Sequence, residues 1–256
     1  MHGKVALVTG AAGGIGAATV RALAARGVLV AALDLNHQEL LEQAEKLAAD
    51  GLATRPFAVD VSEAREVEAV TSRVEADLGP IEYLVNAAGV LRTGSASDYD
   101  DADWQTTFAV NVDGVFHTSR AVVRRMVARG SGAIVTVASN AASTPRAGMA
   151  AYAASKAAAA MFTKSLGLEV ARHNIRCNVL APGSTDTSML RSMWPDERAE
   201  RATLDGNPDS FRVGIPLGRI AEPEDMAQAA VFLLSDAAQQ ITLHSLTVDG
   251  GASLGA

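Results

Sequence analysis

A serine, a tyrosine and a lysine in the segment 139–156 have a spacing that could support proton transfer. Ser139 is followed 13 positions later by Tyr152, and Lys156 comes four positions after the tyrosine. The alanine-rich run from Ala150 to Ala160 predicts a helix, on which residues four apart share a face. A neighbouring ammonium favours the phenolate of a tyrosine whose unperturbed pKa is about 10. The segment therefore predicts a proton acceptor, although such a pair also occurs on helices with no catalytic role.

A glycine-rich turn near the start of the chain has the pattern of a phosphate-binding loop. The apolar run Val5 to Thr9 predicts a strand, and the turn T-G-A-A-G-G-I-G from Thr9 to Gly16 leads into a predicted helix. Without Cβ atoms, the backbone amides of such a turn can approach a pyrophosphate closely. The position between a strand and a helix favours dinucleotide binding over a tight structural turn. The predicted cofactor contacts in the turn are Gly10, Gly14, Ile15 and Gly16.

An aspartate at the end of the second predicted strand indicates which dinucleotide binds. Asp34 lies 18 residues beyond Gly16, and Leu35 follows it. A carboxylate at this point accepts hydrogen bonds from a ribose diol and repels a 2′-phosphate. The turn contains neither Arg nor Lys to neutralise such a phosphate. The sequence therefore predicts NAD as the cofactor, and not NADP, with Asp34 and Leu35 at the adenosine ribose.

Predicted strands and helices alternate along most of the chain. Strands are predicted at 5–9, 28–34, 57–61, 83–85, 133–137, 175–180 and 245–248, and helices at 15–26, 37–50, 62–77, 101–128, 150–173 and 222–234. The strands are apolar throughout, as burial on both faces of a parallel sheet requires. We therefore predict one α/β domain over residues 1–256, a doubly wound parallel sheet in three layers, or Rossmann fold. Ser62 is predicted to cap the third helix, and the segment 183–219, which breaks the alternation, is predicted to be a substrate lid of short helices.

Composition and charge exclude several classes of function. Hydrophobic residues make up 48% of the chain and charged residues 20%, which indicates a globular protein with a large core. The net charge is −7 and no basic stripe occurs, so no nucleic-acid partner is expected. A single cysteine, Cys177, excludes an intrachain disulfide, and no apolar run is long enough to span a membrane, so we expect a cytoplasmic protein. The five histidines do not pair at helical spacing, and no metal site is predicted.

Together these motifs resemble the short-chain dehydrogenase/reductase family over essentially the whole chain. The resemblance is carried by the turn at Thr9, N-A-A-G at Asn86, Y-A-A-S-K at Tyr152 and N-V-L-A-P-G at Asn178. It implies a catalytic set of Ser139, Tyr152, Lys156 and Asn111. Beyond the turn and Asp34, it implies cofactor contacts at Asp60, Val61, Asn86, Ala87, Gly89, Tyr152, Lys156, Pro182, Gly183 and Thr187. It also implies a homotetramer, with the final strand and the helices that carry Asn111 and Tyr152 at the interfaces.

The resemblance also implies a role for each member of the catalytic set. Ser139 would hydrogen-bond the reacting hydroxyl, and Tyr152 would take its proton. Lys156 would lower the pKa of the tyrosine and hold the nicotinamide ribose, and Asn111 would support a water relay.

The second half of the chain resembles, within that family, the enzymes that oxidise 2,3-dihydro-2,3-dihydroxybenzoate. The runs T-P-R-A-G-M at Thr144, P-G-S-T-D-T at Pro182 and G-I-P-L-G at Gly214 carry this resemblance. It implies oxidation of the C3 hydroxyl of that cyclohexadiene carboxylate by NAD, and tautomerisation to aromatic 2,3-dihydroxybenzoate, in catechol siderophore biosynthesis. Two enzymatic alternatives stay open. They are the same oxidation of trans-2,3-dihydro-3-hydroxyanthranilate to 3-hydroxyanthranilate in secondary metabolism, and a general ketone or 3-oxoacyl reductase, which Asp34 disfavours.

A substrate carboxylate removed from water needs a cationic partner. Arg146, seven residues after Ser139, is the first candidate and Arg92 is the second. The remaining predicted substrate contacts are apolar side chains that could wall the ring, namely Leu91, Met149 and Met189, with Trp194 as a further possibility. A cofactor-sensing or scaffold protein on the same fold would not need the catalytic set.

Overall fold

A seven-stranded parallel sheet forms the centre of the computed structural model, which describes residues 1–194 and 196–255. The strands in chain order are β1 (Val5–Thr9), β2 (Leu29–Asp34), β3 (Thr54–Ala58), β4 (Ile81–Asn86), β5 (Gly132–Val137), β6 (Ile175–Pro182), β7 (Gly206–Asn207), β8 (Arg212–Val213) and β9 (Ser245–Val248). The sheet order is β3-β2-β1-β4-β5-β6-β9, and β7 and β8 form a separate antiparallel hairpin. The predicted doubly wound α/β fold is confirmed.

Nine α-helices connect the strands within the described ranges. They are α1 (Gly14–Ala24), α2 (His37–Ala49), α3 (Ala64–Leu78), α4 (Asp101–Phe108), α5 (Gly114–Arg129), α6 (Ala150–Val170), α7 (Ser188–Arg191), α8 (Glu197–Asp205) and α9 (Pro223–Leu234). A π-helical turn, Ala109–Asp113, joins α4 to α5. Short 3₁₀ turns occupy Asn140–Ala142, Ala171–His173, Pro208–Ser210 and Asp236–Ala238.

The alternation of side chains along each strand produces the two cores of a three-layer fold. In β1, Ala6 and Val8 enter one hydrophobic cluster, whereas Val5 and Leu7 enter the other. The first cluster packs the sheet against α1, α2 and α9, and the second packs it against α3, α5 and α6. Successive side chains of a strand point to opposite faces, so a strand buried on both sides must be apolar throughout. Cys177, a fully buried residue of β6, belongs to the second cluster.

The topology places a crevice at the carboxyl end of β1. This strand pairs with β2 on one side and with β4 on the other, so the connections that leave β1 and β4 diverge to opposite faces. Ligands of open α/β sheets bind in the crevice at such a switch point. The glycine-rich turn follows β1 directly and therefore lines this crevice.

The third strand lies earlier in the chain than predicted. The prediction was 57–61, whereas β3 is Thr54–Ala58 and pairs with β2 at the edge of the sheet. Pro56 lacks a backbone donor and is tolerated because only one side of an edge strand pairs. The Ser62 cap is also wrong, because the residue before α3 is Glu63 and the Ser62 backbone N–H and hydroxyl both donate to the Asp60 carboxylate.

Two long segments are more divided than predicted. The single helix predicted at 101–128 consists of α4, the π-helical turn and α5. These three pieces follow one another without a gap, so the helical backbone is continuous and has one wider turn. The segment 183–219 contains α7 and α8, as expected for short helices, and also the hairpin of β7 and β8, which was not predicted. Its role as a lid stays a prediction. None of the helices in the described residues has the length and apolar character needed to cross a membrane.

Candidate active site

A cavity of about 590 Å³ opens at the carboxyl ends of the central strands. Most of the residues predicted from the sequence line it. These are Gly10, Gly14, Ile15, Gly16, Asp34, Leu35, Asp60, Val61, Ala87, Gly89, Leu91, Ser139, Arg146, Met149, Tyr152, Lys156, Pro182, Gly183, Thr187 and Met189. Four predicted residues are not part of the lining, namely Asn86, Asn111, Arg92 and Trp194. In the part of the chain that the structure describes, no group of three or more His, Cys, Asp or Glu is placed to hold a metal ion.

The glycine-rich turn forms a cradle that side chains would fill. Gly10 has a φ of 68°, and a Cβ added there would lie 2.7 Å from the Ala88 backbone nitrogen. A Cβ on Gly16 would overlap the Gly10 carbonyl oxygen. The turn leads into α1, whose first backbone N–H groups have no partner within the helix and point toward the cavity. The turn therefore fits the pyrophosphate of a dinucleotide.

Backbone amides hold the Asp34 carboxylate at the end of β2. The Ala12 N–H donates to Oδ2 and the Asn36 N–H donates to Oδ1, and both hydrogen bonds are 3.0 Å long. Asp34 lines the cavity together with Glu39 and with Leu35, which is 70% exposed. None of the cationic residues in the lining belongs to the turn or to the connection between β2 and α2. This end of the cavity is therefore acidic.

The Tyr152 hydroxyl and the Ser139 hydroxyl lie together at the opposite end. Ser139 follows β5 and accepts a 3.1 Å hydrogen bond from the Ala141 backbone N–H, which fixes the serine at the start of a 3₁₀ turn. Tyr152 lies in the first turn of α6 and is 8% exposed. Burial raises the pKa of the phenol to about 12, and the hydrogen bond with Ser139 acts in the opposite direction.

Lys156 lies one helical turn beyond Tyr152 and is also buried. Its Nζ donates a 2.9 Å hydrogen bond to the Val137 carbonyl oxygen and lies 5.8 Å from the centre of the Tyr152 ring. Burial lowers the pKa of this ammonium to about 8. The role of Lys156 in lowering the pKa of the tyrosine stays a prediction, because desolvation has the largest effect on the pKa of this phenol.

Asn111 lies behind the cavity wall, in the π-helical turn. It is fully buried, and its Oδ1 accepts a 2.9 Å hydrogen bond from the Val90 backbone N–H. Its Nδ2 donates to the Val90 carbonyl oxygen and to the Ser155 hydroxyl, and both hydrogen bonds are 3.0 Å long. A Cβ added at Gly89 would lie 3.1 Å from Lys156 Nζ and 3.2 Å from Asn111 Oδ1. The asparagine therefore approaches Lys156 without reaching the open cavity.

The Asn86 side chain has a structural role and does not line the cavity, and the cofactor contact at this residue stays a prediction. Its Oδ1 accepts a 2.6 Å hydrogen bond from the Thr118 hydroxyl, and its Nδ2 donates to Ser119 and Thr136. The side chain is 2% exposed and ties α5 to the sheet. The residues that follow Asn86 do line the cavity. The Ala87 backbone N–H donates a 3.1 Å hydrogen bond to the Thr9 hydroxyl, which holds this segment against the end of β1.

Of the two arginines predicted to bind a carboxylate, only Arg146 reaches the cavity. Arg92 is half exposed and its Nε lies 3.4 Å from Asp103 Oδ1, outside the lining. Trp194 is also outside, and its Nε1 donates to the Thr203 hydroxyl. A second cavity arginine, Arg212 of β8, was missed. The only sequence signal for it was a cationic residue inside the segment predicted to cover the substrate.

The fold and the cavity define a dinucleotide-dependent oxidoreductase, because a glycine cradle at the switch point faces a buried serine, tyrosine and lysine. The profile of the short chain dehydrogenase family matches residues 4–198. The chain belongs to the short-chain dehydrogenase/reductase family, as its motifs predicted.

Individual relatives are similar to the chain over its full length. The 2,3-dihydro-2,3-dihydroxybenzoate dehydrogenase of Bacillus subtilis strain 168 is 50% identical, with 100% of this chain and 98% of that protein covered. The enzyme of the same name from Escherichia coli K12 is 44% identical, with 99% and 98% covered. A crystal structure of a gluconate 5-dehydrogenase from Burkholderia cenocepacia J2315 in complex with NADP and tartrate superposes with a TM-score of 0.91 at 33% identity, over 99% and 96% of the two chains.

Proposed function

We propose that this chain oxidises the C3 hydroxyl of 2,3-dihydro-2,3-dihydroxybenzoate, with NAD as the hydride acceptor, in catechol siderophore biosynthesis. The observation that carries the proposal is the position of Arg146 in the lining that Ser139 and Tyr152 share. This arrangement provides a cation for a carboxylate beside the groups that act on a hydroxyl. The names of the two relatives at 50% and 44% identity support the same substrate.

The reaction removes one proton and one hydride from the substrate. The dinucleotide supplies, when bound, a nicotinamide ring that accepts the hydride from C3. The C3 hydroxyl proton goes to the Tyr152 oxygen, and the C–O bond becomes a carbonyl. Ser139 donates a hydrogen bond to the developing carbonyl oxygen. The ketone then tautomerises to a phenol, and the aromatic ring that results makes oxidation the favoured direction.

Lys156 supplies the positive charge that ionisation of Tyr152 requires. Burial raises the pKa of the phenol to about 12, so a neutral tyrosine dominates near pH 7 unless a cation stabilises the tyrosinate. The ammonium, held on the Val137 carbonyl oxygen, is the cation on the same helical face. Asn111 accepts a hydrogen bond from the Val90 backbone N–H, and its Oδ1 and the Lys156 amine both lie close to Gly89. In this proposal Asn111 supports a proton relay from that amine.

The preference for NAD follows from the acidic end of the cavity. Two backbone N–H groups orient the Asp34 carboxylate, and Glu39 adds a second negative charge to the lining. A ribose 2′-phosphate at this place would face two carboxylates and no cation. One structural relative was solved with NADP and another, a 7α-hydroxysteroid dehydrogenase, with NADH, so the family fold alone does not set the cofactor.

The decisive experiment supplies the protein with NAD⁺ and one diene at a time. One reaction contains 2,3-dihydro-2,3-dihydroxybenzoate and the other contains trans-2,3-dihydro-3-hydroxyanthranilate. We expect NADH absorbance and aromatic 2,3-dihydroxybenzoate in the first reaction, with a lower kcat/KM in the second. Turnover of neither diene would contradict the proposal, and a preference for the second diene would assign the chain to the amino analogue. Arg146→Ala should raise KM for the diene, and an unchanged KM would remove Arg146 from carboxylate binding.

The family resemblance further predicts a homotetramer, and exposed apolar residues support this proposal. Met161 and Leu168, on the same helix as Tyr152, are 62% and 71% exposed, and Phe116 on α5 is 38% exposed. Burial of such side chains against further copies of the chain would be favourable. Sedimentation equilibrium should give four times the 26.4 kDa mass of one chain.

A further inference from the structure

Two arginines line the same cavity although they come from distant parts of the chain. Arg146 precedes α6, and Arg212 lies on β8 of the hairpin. Both line the cavity, together with Ser139 and Tyr152. Burial, and then repulsion by Arg146, lower the pKa of Arg212, which indicates that the two charges are near enough to interact.

Neither guanidinium has an anionic partner among the described side chains. The ion pairs found there involve other residues. The acidic members of the cavity lining are Asp34, which ends β2, and Glu39 and Asp60, which follow β2 and β3. Like charges in a partly buried site repel each other more strongly than in water. An anion placed between the two arginines would therefore be held by both of them and would relieve their repulsion.

The backbone around Arg212 holds it at the cavity. Its Nη2 donates a 3.1 Å hydrogen bond to the Ser184 hydroxyl, just after β6. Gly206 has a φ of 89°, and a Cβ there would lie 2.7 Å from the Arg212 carbonyl oxygen. A Cβ on Gly214 would overlap the Leu204 carbonyl oxygen. The close approach of these strands therefore depends on glycine. A guanidinium carries five N–H donors, and the hydrogen bond to Ser184 uses one of them.

We propose that Arg212 binds the substrate carboxylate together with Arg146, and that the hairpin Gly206–Val213 is an element of substrate specificity. The identity of the anion rests on the proposed function. A carboxylate accepts two parallel hydrogen bonds from one guanidinium, and a second guanidinium satisfies the remaining lone pairs. Because Arg212 belongs to the segment 183–219, an anionic substrate would hold that segment against the cavity, whereas a neutral ring would not.

The experiment compares two ligands that differ only in the carboxylate. Binding of 2,3-dihydroxybenzoate and of catechol to the protein–NADH complex is measured by calorimetry for wild type, Arg212→Gln and Arg201→Gln. Arg201 is the matched control, since it lies on α8, is exposed and pairs with Asp205. We expect R212Q to raise Kd for 2,3-dihydroxybenzoate roughly 10- to 100-fold, as for the loss of a charge-assisted hydrogen bond, and to leave Kd for catechol and for NADH unchanged. R201Q should change none of these constants.

Several outcomes would overturn the proposal. Equal losses for both ligands, no loss for either, or a wild-type complex that binds 2,3-dihydroxybenzoate no more tightly than catechol would each contradict it. If R212Q does not bind NADH, the Arg212→Lys variant tests the proposal instead, because lysine keeps the positive charge and lacks the planar guanidinium that can donate two parallel hydrogen bonds. Weaker binding of the carboxylated ligand alone by R212K supports the proposal, and wild-type affinities for both ligands contradict it.

Assays of diene oxidation by wild type and R212Q, together with these binding constants, separate this inference from the proposed function. If the wild-type protein oxidises neither diene and R212Q still loses affinity for 2,3-dihydroxybenzoate alone, the function is wrong and the anion site stands. If the wild type oxidises the diene and R212Q has an unchanged KM, the function stands and the role of Arg212 is wrong.

Discussion

The Lys156 ammonium donates a hydrogen bond of 2.9 Å to the carbonyl oxygen of Val137, the last residue of β5. Ser139 comes two residues after Val137, so one strand end fixes both the amine and the serine hydroxyl. The lysine side chain is 5% exposed, and burial lowers its pKa to about 8. The charge that the proposed chemistry needs at neutral pH is therefore held at a cost in stability.

Replacement of Lys156 by methionine should change how stability depends on pH. Below pH 8 the folded wild type carries the buried charge, and the penalty is full. Above pH 8 the folded protein releases this proton while an unfolded lysine, with a pKa of about 10.4, keeps it, so stability rises with pH in this window. The unfolding free energy of wild type relative to K156M should increase by roughly 2 to 3 kcal/mol between about pH 7 and pH 10.

Urea unfolding at a series of pH values measures this difference. The raised pKa of Tyr152 affects stability only at the alkaline end of the range and occurs in both proteins. Lys46→Met, on the exposed face of α2, is the control and should follow the wild-type curve. Parallel curves for wild type and K156M would show that the lysine is not destabilised by burial.

Replacement of Tyr152 by phenylalanine should remove the proton acceptor and keep the aromatic ring in the cavity lining. We expect kcat to fall by about 10²- to 10⁴-fold, the usual contribution of a general base, and Kd for NADH to change far less than kcat. Tyr99→Phe is the control, because that hydroxyl donates to the Arg92 carbonyl oxygen outside the cavity lining. A Y152F variant with near wild-type kcat would assign proton transfer to another group.

Oxidation by the wild-type protein should become faster as pH rises. The tyrosinate is the reactive form, and burial places the pKa of the phenol above its ordinary value, so the reactive fraction grows with pH. Removal of the Lys156 charge should move the rising limb of kcat/KM to higher pH, because the tyrosinate then lacks the ammonium one helical turn away. A profile that falls with increasing pH, or that K156M leaves in place, would contradict these roles.

Replacement of Asp34 by alanine should relax the choice of dinucleotide. The variant loses a charged acceptor for the ribose hydroxyls, which should reduce kcat/KM for NAD roughly 10- to 100-fold. The ratio of kcat/KM for NAD to kcat/KM for NADP should therefore fall. Asp34→Asn separates charge from hydrogen bonding, because it keeps an acceptor for the Ala12 N–H. Asp50→Ala, an exposed carboxylate paired with Arg21, is the control. An unchanged ratio for the two cofactors in D34A would remove Asp34 from this role.

Replacement of Asp249 by alanine should disturb the serine loop from a distance. Its Oδ2 accepts hydrogen bonds from Asn140 Nδ2 at 3.1 Å and from the Ser253 hydroxyl at 2.6 Å, and Asn140 adjoins Ser139. Loss of the acceptor leaves buried donors unpaired, which costs about 1 to 3 kcal/mol each. We expect lower stability and lower kcat with an unchanged Kd for NADH, partly restored in Asp249→Asn.

The same carboxylate should contribute to acid sensitivity. Burial by itself would raise the pKa of Asp249, but the hydrogen bonds from Ser253, Asn140 and Gly251 outweigh it, and the pKa is lowered. A lowered pKa stabilises the folded protein above the pKa of the unfolded carboxyl, and this contribution is lost as pH falls through the folded value. The stability of D249N should therefore fall less between about pH 5 and pH 3 than that of the wild type, whereas Asp236→Ala, at an exposed position, should follow the wild type.

Local patterns were sufficient to predict the fold class and part of the cavity lining, whereas other predicted contacts, such as Asp60 and Thr187, came only from the family resemblance. The glycine turn lies within one strand–helix junction, and Tyr152 and Lys156 are related by a single turn of α6. Asp34 follows a continuous apolar strand. Each of these features depends on residues near to one another in the chain, which is where periodicity and turn chemistry are informative.

Features that depend on distant partners could not be predicted in the same way. The edge strand β3 contains Pro56 and an exposed Arg55, so its composition does not indicate a strand until its pairing with β2 is known. Asn86 has the identity expected of a cleft residue, but Thr118 and Ser119 of α5 turn its side chain inward. Arg212 reaches the cavity only because a hairpin without alternating sequence carries it there.

The pairing of β1 with β4 has a consequence for the order in which the protein folds. Val5 lies opposite Ile81, so the crevice cannot form until these distant residues meet, whereas β2 and β3 can pair with shorter connections. Closure of a long loop must precede the contacts that stabilise it, and such non-local pairing slows folding. A chain emerging from the ribosome would acquire affinity for the dinucleotide only after β4 has been synthesised. Cofactor binding would then affect a late stage of folding, because it would stabilise an assembled sheet and would not guide strand pairing.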